Sequence, residues 1–265
     1  MKQTNTELFN QVSGGLRSVE LPSEDKLEQL ILAQAEFMRL QGVEFTAEDF
    51  QEVKRHLQSN FDVSMNFGVM LADNETYRPW LNSFKANAPD FFYWNRYRTL
   101  LKNTGYPNRV VLGMDNITDE ILDYLEDPRK HGNWARRGLV MGHVQSGKTA
   151  NYTGLICKAA DAGYKVIIVL AGILNSLRSQ TQERIDEGFL GFDSDTKAPI
   201  GVSRFSGGST EKPPCFTNRQ SDFDANIANQ VGVSLDNLKQ PAVFVIKKNV
   251  HTLKSLHRWL KNNNR

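Results

Sequence analysis

The strongest constraint on the fold of this 265-residue chain comes from eight residues, Gly142 to Thr149, which read GHVQSGKT. They match the pattern G-x-x-x-x-G-K-T, whose glycines let consecutive backbone N–H groups wrap around a phosphate. The lysine of such a loop reaches the β- and γ-phosphates of a nucleotide, and the threonine hydroxyl coordinates Mg²⁺. The loop needs a strand before it and a helix after it. The motif therefore predicts an α/β fold.

The residues on either side of the loop have the expected character. The apolar run Gly138–Met141 predicts a short strand, and the helix after the loop is expected to continue to about Ala162. Residues 165–170 contain an uninterrupted β-branched run, Val166 to Val169, which is typical of a buried parallel strand. Further helices are predicted over residues 174–187 and 249–262, and further strands over residues 199–205 and 242–246. This alternation predicts a mostly parallel sheet covered by helices.

The loop also defines the candidate nucleotide site. The side chains that we expect to carry the chemistry are Lys148, which neutralises phosphate charge, and Thr149, which holds Mg²⁺ through the nucleotide. The expected cofactors are ATP and Mg²⁺. The residues predicted to contact the nucleotide are Gly142, Gln145, Ser146, Gly147, Lys148, Thr149 and Ala150.

Two further groups of polar residues are candidates for contact with nucleic acid. Arg178 and Gln182 are spaced i, i+4, so they share one face of the helix predicted after the second strand. That face either meets a nucleic-acid backbone or is an ordinary solvated surface. Lys247 and Lys248 follow the last predicted strand, at the edge where open α/β sheets bind ligands. They either meet phosphate or simply end the strand in water.

Charge is distributed unevenly along the chain. Residues 1–130 carry 14 Lys/Arg and 20 Asp/Glu, whereas residues 131–265 carry 18 and 10. A basic half suggests a polyanionic partner such as phosphate or nucleic acid, although a basic solvated surface has the same composition. The hydrophobic share of 40% is sufficient for a core, and two cysteines are too few for a disulfide framework. With no apolar run long enough to span a bilayer and no signal peptide, we expect a cytoplasmic protein without a membrane partner.

The first part of the chain, residues 1–130, is expected to be mainly helical. Its first 22 residues are polar and contain two adjacent glycines, so a loose arm is predicted there. Helices are predicted over residues 24–41 and 47–59, with Thr46 as the N-cap and Asp49 in a capping-box position of the second. A short acidic helix is predicted over residues 118–127.

Residues 77–106 are rich in aromatic side chains with interleaved arginines. Such a mixture can be a stacking platform for single-stranded nucleic acid. The alternative is a helix whose Phe92, Trp94 and Leu101 seat it on the next domain, because large aromatic side chains dominate ordinary cores.

The stretches Arg136–Tyr152 and Lys158–Gly191 resemble the bacterial Z-one domain family, as do the upstream sequences FFYWNRYRTLL and ITDEILDYLEDP. The resemblance covers most of residues 77–262. It implies an ATP-binding, helicase-like, DNA-acting ATPase and endonuclease of restriction or phage-defence loci, with DNA and defence-locus proteins as partners. The family's phosphate-loop positions correspond to Gly142–Thr149, and its next helicase-like segment corresponds to Arg178–Arg184.

The resemblance also implies a fold and a boundary. Residues 131–265 are expected to form the first part of a RecA-like P-loop NTPase domain with an incomplete sheet. Family members are longer and continue into an acidic strand and a second lobe. The chain is therefore expected to be an N-terminal part that is inactive alone. The main alternative is a non-catalytic nucleotide-binding or interaction module. A metabolic kinase is less well supported, because the later residues lack an arginine-rich lid.

Overall fold

The computed structural model describes residues 3–16, 24–61, 77–87, 90–141, 147–205, 212–230, 235 and 238–263. Before the sheet, the helices are α1 (Gln3–Leu16), α2 (Glu24–Leu40), α3 (Ala47–Phe61), α4 (Leu81–Asn87), α5 (Phe92–Asn103), α6 (Asn108–Leu125) and α7 (Lys148–Ala162). They are followed by β1 (Val166–Ala171), α8 (Asn175–Ile185), a π-helical turn (Asp186–Leu190), a 3₁₀ turn (Gly201–Arg204), α9 (Ala225–Gln230), β2 (Ala242–Lys247) and α10 (Val250–Asn263).

The chain divides into two compact units. The first comprises Met1–Ala72 with Gly105–Gly113, and the second comprises Asp73–Thr104 with Met114–Arg265. The domain boundary predicted near residue 130 stays a prediction. Among the described residues, no helix has both the length and the apolar character needed to cross a membrane.

The first unit contains a small core built by α1, α2 and α3. Its fully buried side chains include Leu8, Leu27, Ile31 and Leu57. The prediction of a loose arm over the first 22 residues was wrong for Gln3–Leu16, because α1 buries its side chains at i, i+4 despite its polar composition. Residues 17–23 lie outside the described part of the chain.

The predicted cap of α3 is confirmed. The Thr46 hydroxyl accepts the backbone N–H of Asp49 at 3.2 Å, and Asp49 Oδ2 accepts the backbone N–H of Thr46 at 3.1 Å. This reciprocal pairing satisfies two N–H groups that the helix start would otherwise leave without partners. The predicted helices over residues 24–41 and 47–59 are likewise found as α2 and α3.

The second unit is organised around a parallel pair of strands. β1 and β2 align Val166 with Ala242 and Ala171 with Lys247. The side chains of β2 from Ala242 to Ile246 are buried, whereas Ile168 and Leu170 of β1 are 39% and 51% exposed. The predicted mixture of helices and parallel strands is confirmed, while a RecA-like domain stays a prediction.

Aromatic side chains cover β2 on the face that carries Phe244 and Ile246. Phe216 stacks on Phe244 with ring centroids 4.9 Å apart, and Trp259 of α10 lies 5.9 Å from the same ring. The Trp259 indole N–H donates to Asn229 Oδ1 at 2.8 Å, which satisfies its one polar atom. α10 is thereby fixed with its apolar face toward the sheet.

The aromatic segment belongs to the core of the second unit. Tyr93, Trp94 and Tyr97 of α5 are buried, and the Trp94 ring packs closely beside Gly154 of α7. The core interpretation is therefore confirmed for Trp94 and Leu101, while Phe92 stays 37% exposed. A stacking platform would need these rings at the surface.

Two predicted strands were wrong. Residues 138–141 are not a strand, and they are exposed. Residues 199–205 contain a 3₁₀ turn, because Gly201 has φ +52°, which is left-handed rather than extended, and its backbone lies directly against the Glu187 carbonyl. The acidic helix predicted over residues 118–127 is confirmed as the end of the longer α6, which ends at Leu125.

Candidate nucleotide-binding site

The described part of the candidate loop begins at Gly147. This glycine is the N-cap of α7 with φ +71° and ψ +18°, a left-handed conformation that side chains with a Cβ rarely adopt. No side chain caps this helix end in the part of the chain that the structure describes. Lys148 and Thr149 occupy the first turn and are exposed. Gly142, Gln145 and Ser146 lie outside the described residues.

Two hydrogen bonds anchor the first turn of α7, while its residues Lys148 and Thr149 remain exposed. The Tyr97 hydroxyl donates to the Ala150 carbonyl at 3.3 Å, and the Thr153 hydroxyl donates to the Thr149 carbonyl at 2.8 Å. Ala150 is buried, so it anchors the turn rather than facing a ligand. The N–H groups of a helix start and its dipole together favour an anion at such a position.

The chain order joins the end of α7 to the start of β1 through three residues. Ile167 of β1 packs against the cluster that contains Ala159 and Ala162 of α7. β2 is parallel to β1, so Ala171 and Lys247 lie together at the carboxyl edge of the strand pair. Open α/β sheets bind ligands at this edge.

This edge carries two lysines and one carboxylate. Lys248 is exposed, and Lys247 Nζ lies 3.9 Å from Asp222 Oδ2, a long and weak ion pair. The same Asp222 oxygen accepts the Lys247 N–H at 3.3 Å. β1 is followed by Gly172 and β2 by Lys248, so no carboxylate follows either strand directly.

Arg178 and Gln182 do share one face of α8, but that face is the buried one. The Arg178 guanidinium donates to the carbonyls of Asn218 and Arg219, both at 2.6 Å, and only 2% of the residue is exposed. The predicted contact of these two side chains with a nucleic-acid backbone is therefore not available in this structure. Their polarity serves an internal network instead.

That network was not foreseen from the sequence. Gln182 donates to Asp186 Oδ1 and accepts from the Thr217 hydroxyl, both at 2.8 Å, and Thr217 in turn accepts the Val245 N–H of β2 at 3.0 Å. Burial raises the pKa of the Asp186 carboxyl, although hydrogen bonds from Gln182 and Ser194 oppose that effect. Only Leu177 and Ile185 of the eleven residues of α8 are apolar, so no sequence signal indicated that a polar face of this helix is buried.

A network of ion pairs around a buried lysine also joins α7 to α6. Lys158 is fully buried, and its ammonium contacts Asp115 and lies 2.7 Å from Asp119 Oδ1. The neighbouring Cys157 is a buried core thiol, and burial raises its pKa well above the ordinary value. A lysine on the inward face of a predicted helix is the signal that could have indicated the ion-pair network.

Comparisons of the chain with protein-family models, with curated proteins and with solved structures found no match.

Proposed function

We propose that the protein binds ATP with Mg²⁺ at the start of α7, as the ATP-binding module of a helicase-like, DNA-acting ATPase. The resemblance to the Z-one domain family further suggests a restriction or phage-defence setting and an associated endonuclease activity. One observation carries the proposal. The left-handed Gly147 directly precedes the start of α7, where Lys148 and Thr149 are exposed, and this supports an anion site at that helix start.

Each part of this arrangement has a role toward a nucleoside triphosphate. The helix start supplies N–H donors and a positive potential for the phosphates. Lys148 would neutralise the β- and γ-phosphates, and Thr149 would provide one oxygen ligand of the Mg²⁺ that accompanies them. Ala150, anchored by Tyr97, keeps the first turn in place behind the ligand.

A second candidate is a nucleotide-binding or interaction module that does not hydrolyse ATP. The observation that favours it is the chemistry of the strand ends, because neither β1 nor β2 is followed directly by an aspartate or glutamate. Phosphoryl transfer needs groups that position Mg²⁺ and the attacking water, and the loop provides only part of that set.

Titration with a fluorescent ATP analogue and Mg²⁺ tests the binding proposal. We expect Lys148→Ala to weaken binding by about 10- to 100-fold, because it removes a charge-assisted hydrogen bond. Lys102→Ala is the matched control, since Lys102 is also exposed in the second unit but lies outside the loop. Equal affinity of the wild type and the Lys148→Ala variant would refute the site, and an equal loss in both variants would indicate non-specific charge binding.

A further inference from the structure

The last part of the chain is strongly basic. Residues 237–265 contain seven Lys/Arg and no Asp/Glu. Most of these residues belong to α10 or to the end of β2 that precedes it. An uninterrupted run of one charge is a surface feature that demands either counter-ions or a polyanionic partner.

Helical geometry gathers the charges of α10 on one side. Lys254, Arg258 and Lys261 are spaced by four and three residues, so they follow one another on the same face of the helix. All three are exposed, whereas Leu256 and Trp259 on the opposite face are 3% and 4% exposed. We call Lys254, Arg258 and Lys261 the basic stripe of α10.

The side chains of the stripe have no charged partner in the part of the chain that the structure describes. Among those residues, the side chains of Lys254, Arg258 and Lys261 make no hydrogen bond or ion pair. The carboxylates near the elements that pack on α10 are occupied: Asp222 lies 3.9 Å from Lys247, and Asp224 caps the start of α9 by accepting the Asn226 N–H at 2.7 Å. The stripe therefore presents its full charge to solvent.

We propose that the basic stripe of α10 binds the phosphate backbone of a nucleic acid without reading its sequence. This inference rests on the DNA-acting role proposed above for the kind of partner, and it replaces the buried Arg178 and Gln182 as the contact surface. Positive side chains on successive turns, separated by a rise of about 5 Å, form a linear array that suits a linear array of phosphates. Contacts of this kind fix position and carry no base readout.

The structure favours nucleic acid over an anionic membrane. A helix that lies in a membrane surface needs an apolar face to insert between the lipids. The apolar face of α10 is already buried against β2, where Leu256 and Trp259 belong to the core. The exposed face of α10 carries the charges of the stripe and one exposed large apolar side chain, Val250 at 62%, which alone is too small an apolar surface for membrane insertion.

Fluorescence anisotropy with a labelled DNA oligonucleotide of mixed sequence, in single- and double-stranded form and without nucleotide, tests the proposal. The variant is Lys254→Gln/Arg258→Gln/Lys261→Gln. At moderate salt we expect it to bind at least about tenfold more weakly. We also expect its slope of log K against log salt to become shallower by about 2 to 3, because each lost phosphate contact removes about 0.9 from that slope.

Two further variants separate charge from fold. Lys102→Gln/Lys165→Gln/Arg204→Gln removes three other exposed charges of the second unit and should change affinity by less than about twofold. Lys254→Arg/Arg258→Lys/Lys261→Arg keeps the charges and should bind as the wild type does. Circular dichroism should show all three variants folded, because every substituted side chain is exposed.

The outcomes are distinguishable from those of the nucleotide test. If Lys148→Ala loses ATP but keeps its DNA affinity, the stripe stands apart from the nucleotide site. If ATP does not bind at all but the stripe variant still loses DNA, the stripe proposal holds and the proposed nucleotide function fails. The proposal is overturned if the wild type does not bind DNA or if both glutamine variants lose affinity equally. Tighter stripe-dependent binding to vesicles that contain phosphatidylserine, or to an acidic peptide, also overturns it.

Discussion

A single buried lysine links the helix of the candidate site to its neighbours. Lys158 is 0% exposed, its ammonium donates to the Asp115 carbonyl at 2.6 Å, and it lies 4.6 Å from the centre of the Trp94 ring. With Asp119 2.7 Å away as a second acidic partner, the ammonium is fully surrounded by acceptors. A buried charge of this kind is tolerated only because every partner is present.

We predict that Lys158→Met destabilises the protein by about 3–5 kcal/mol, because it leaves two carboxylates without their buried counter-charge. Lys85→Met is the matched control, since the Lys85 ammonium contacts the same Asp119 but its side chain is 33% exposed. That control should cost no more than about 1 kcal/mol. Urea unfolding followed by circular dichroism measures both. Similar losses in the two variants would mean that burial does not determine the contribution of the ion pair.

Residue chemistry also explains why Arg178 was misjudged. From the sequence, an arginine and a glutamine at i, i+4 on a helix of low hydrophobicity read as a solvated face. Which face is buried depends on the loop that carries Asn218 and Arg219, since their carbonyl oxygens accept the guanidinium protons. Those acceptors are backbone atoms about 40 residues away, and backbone acceptors leave no pattern in a sequence.

At the scale of elements, α7 and α5 are joined through a carboxylate. The two Asp161 oxygens accept the backbone N–H groups of Tyr93 and Trp94, each at 2.9 Å, so a side chain of α7 caps the start of α5. Burial raises the pKa of the Asp161 carboxyl to about 7, while these hydrogen bonds and the charge of Lys158 oppose the shift.

This shift predicts a pH dependence of stability. Because the folded-state pKa lies above the ordinary value of 3.8, the folded protein holds a proton that the unfolded chain releases. The contribution is therefore fully present below about pH 4 and is lost as the pH rises through 7. Asp161→Asn removes the titration and also part of the cap. Its melting temperature should be lower but should change less between about pH 5 and pH 8 than that of the wild type. If the melting temperatures of the variant and the wild type changed equally with pH, Asp161 would not be the group responsible for this pH dependence.

Helices and strands with a clear local sequence signal could be predicted, whereas elements that depend on contacts with residues distant in the sequence could not. The apolar period of α2, the capping pair of α3 and the β-branched runs of β1 and β2 are local signals, and the structure contains each element. α1 was missed because Gly14 and Gly15 resemble a break. The turn at Gly201 depends on a close approach to Glu187, which no local pattern of residues encodes.

For the whole molecule, the loop motif predicted a strand that the fold does not contain. Before that point the chain is anchored by an ion pair, in which Arg136 Nη2 lies 2.5 Å from Glu126 Oε2. After it, Leu139 and Met141 are 82% and 85% exposed instead of lying in a sheet. A strand needs neighbours on the sheet, and local sequence does not reveal whether they are present. The start of α7 at Lys148 and Thr149 could be predicted, because it depends only on the local sequence of the loop and the helix.

The residues at the ends of β1 and β2 also determine whether we expect the protein to hydrolyse ATP. β1 ends at Ala171 and β2 at Lys247, and neither strand is followed directly by an acid that could order the water around Mg²⁺. The Asp222 carboxylate lies beside the end of β2, where it accepts the Lys247 N–H at 3.3 Å. Two later aspartates are already engaged: Asp186 accepts from Gln182 at 2.8 Å, and Asp193 Oδ1 accepts the Thr196 N–H at 2.8 Å. Neither acid follows a strand of the parallel pair.

We therefore predict that this 265-residue chain binds ATP but hydrolyses it negligibly. Phosphoryl transfer needs groups that position Mg²⁺ and the attacking water, and neither β1 nor β2 is followed directly by a carboxylate that could do so. The measurement is phosphate release at saturating ATP and Mg²⁺, with and without DNA, and Lys148→Ala serves as the blank. Release equal to the blank is expected. Rapid release that disappears in Lys148→Ala would mean that a carboxylate elsewhere in the chain reaches the nucleotide, so that the strand ends do not limit its chemistry.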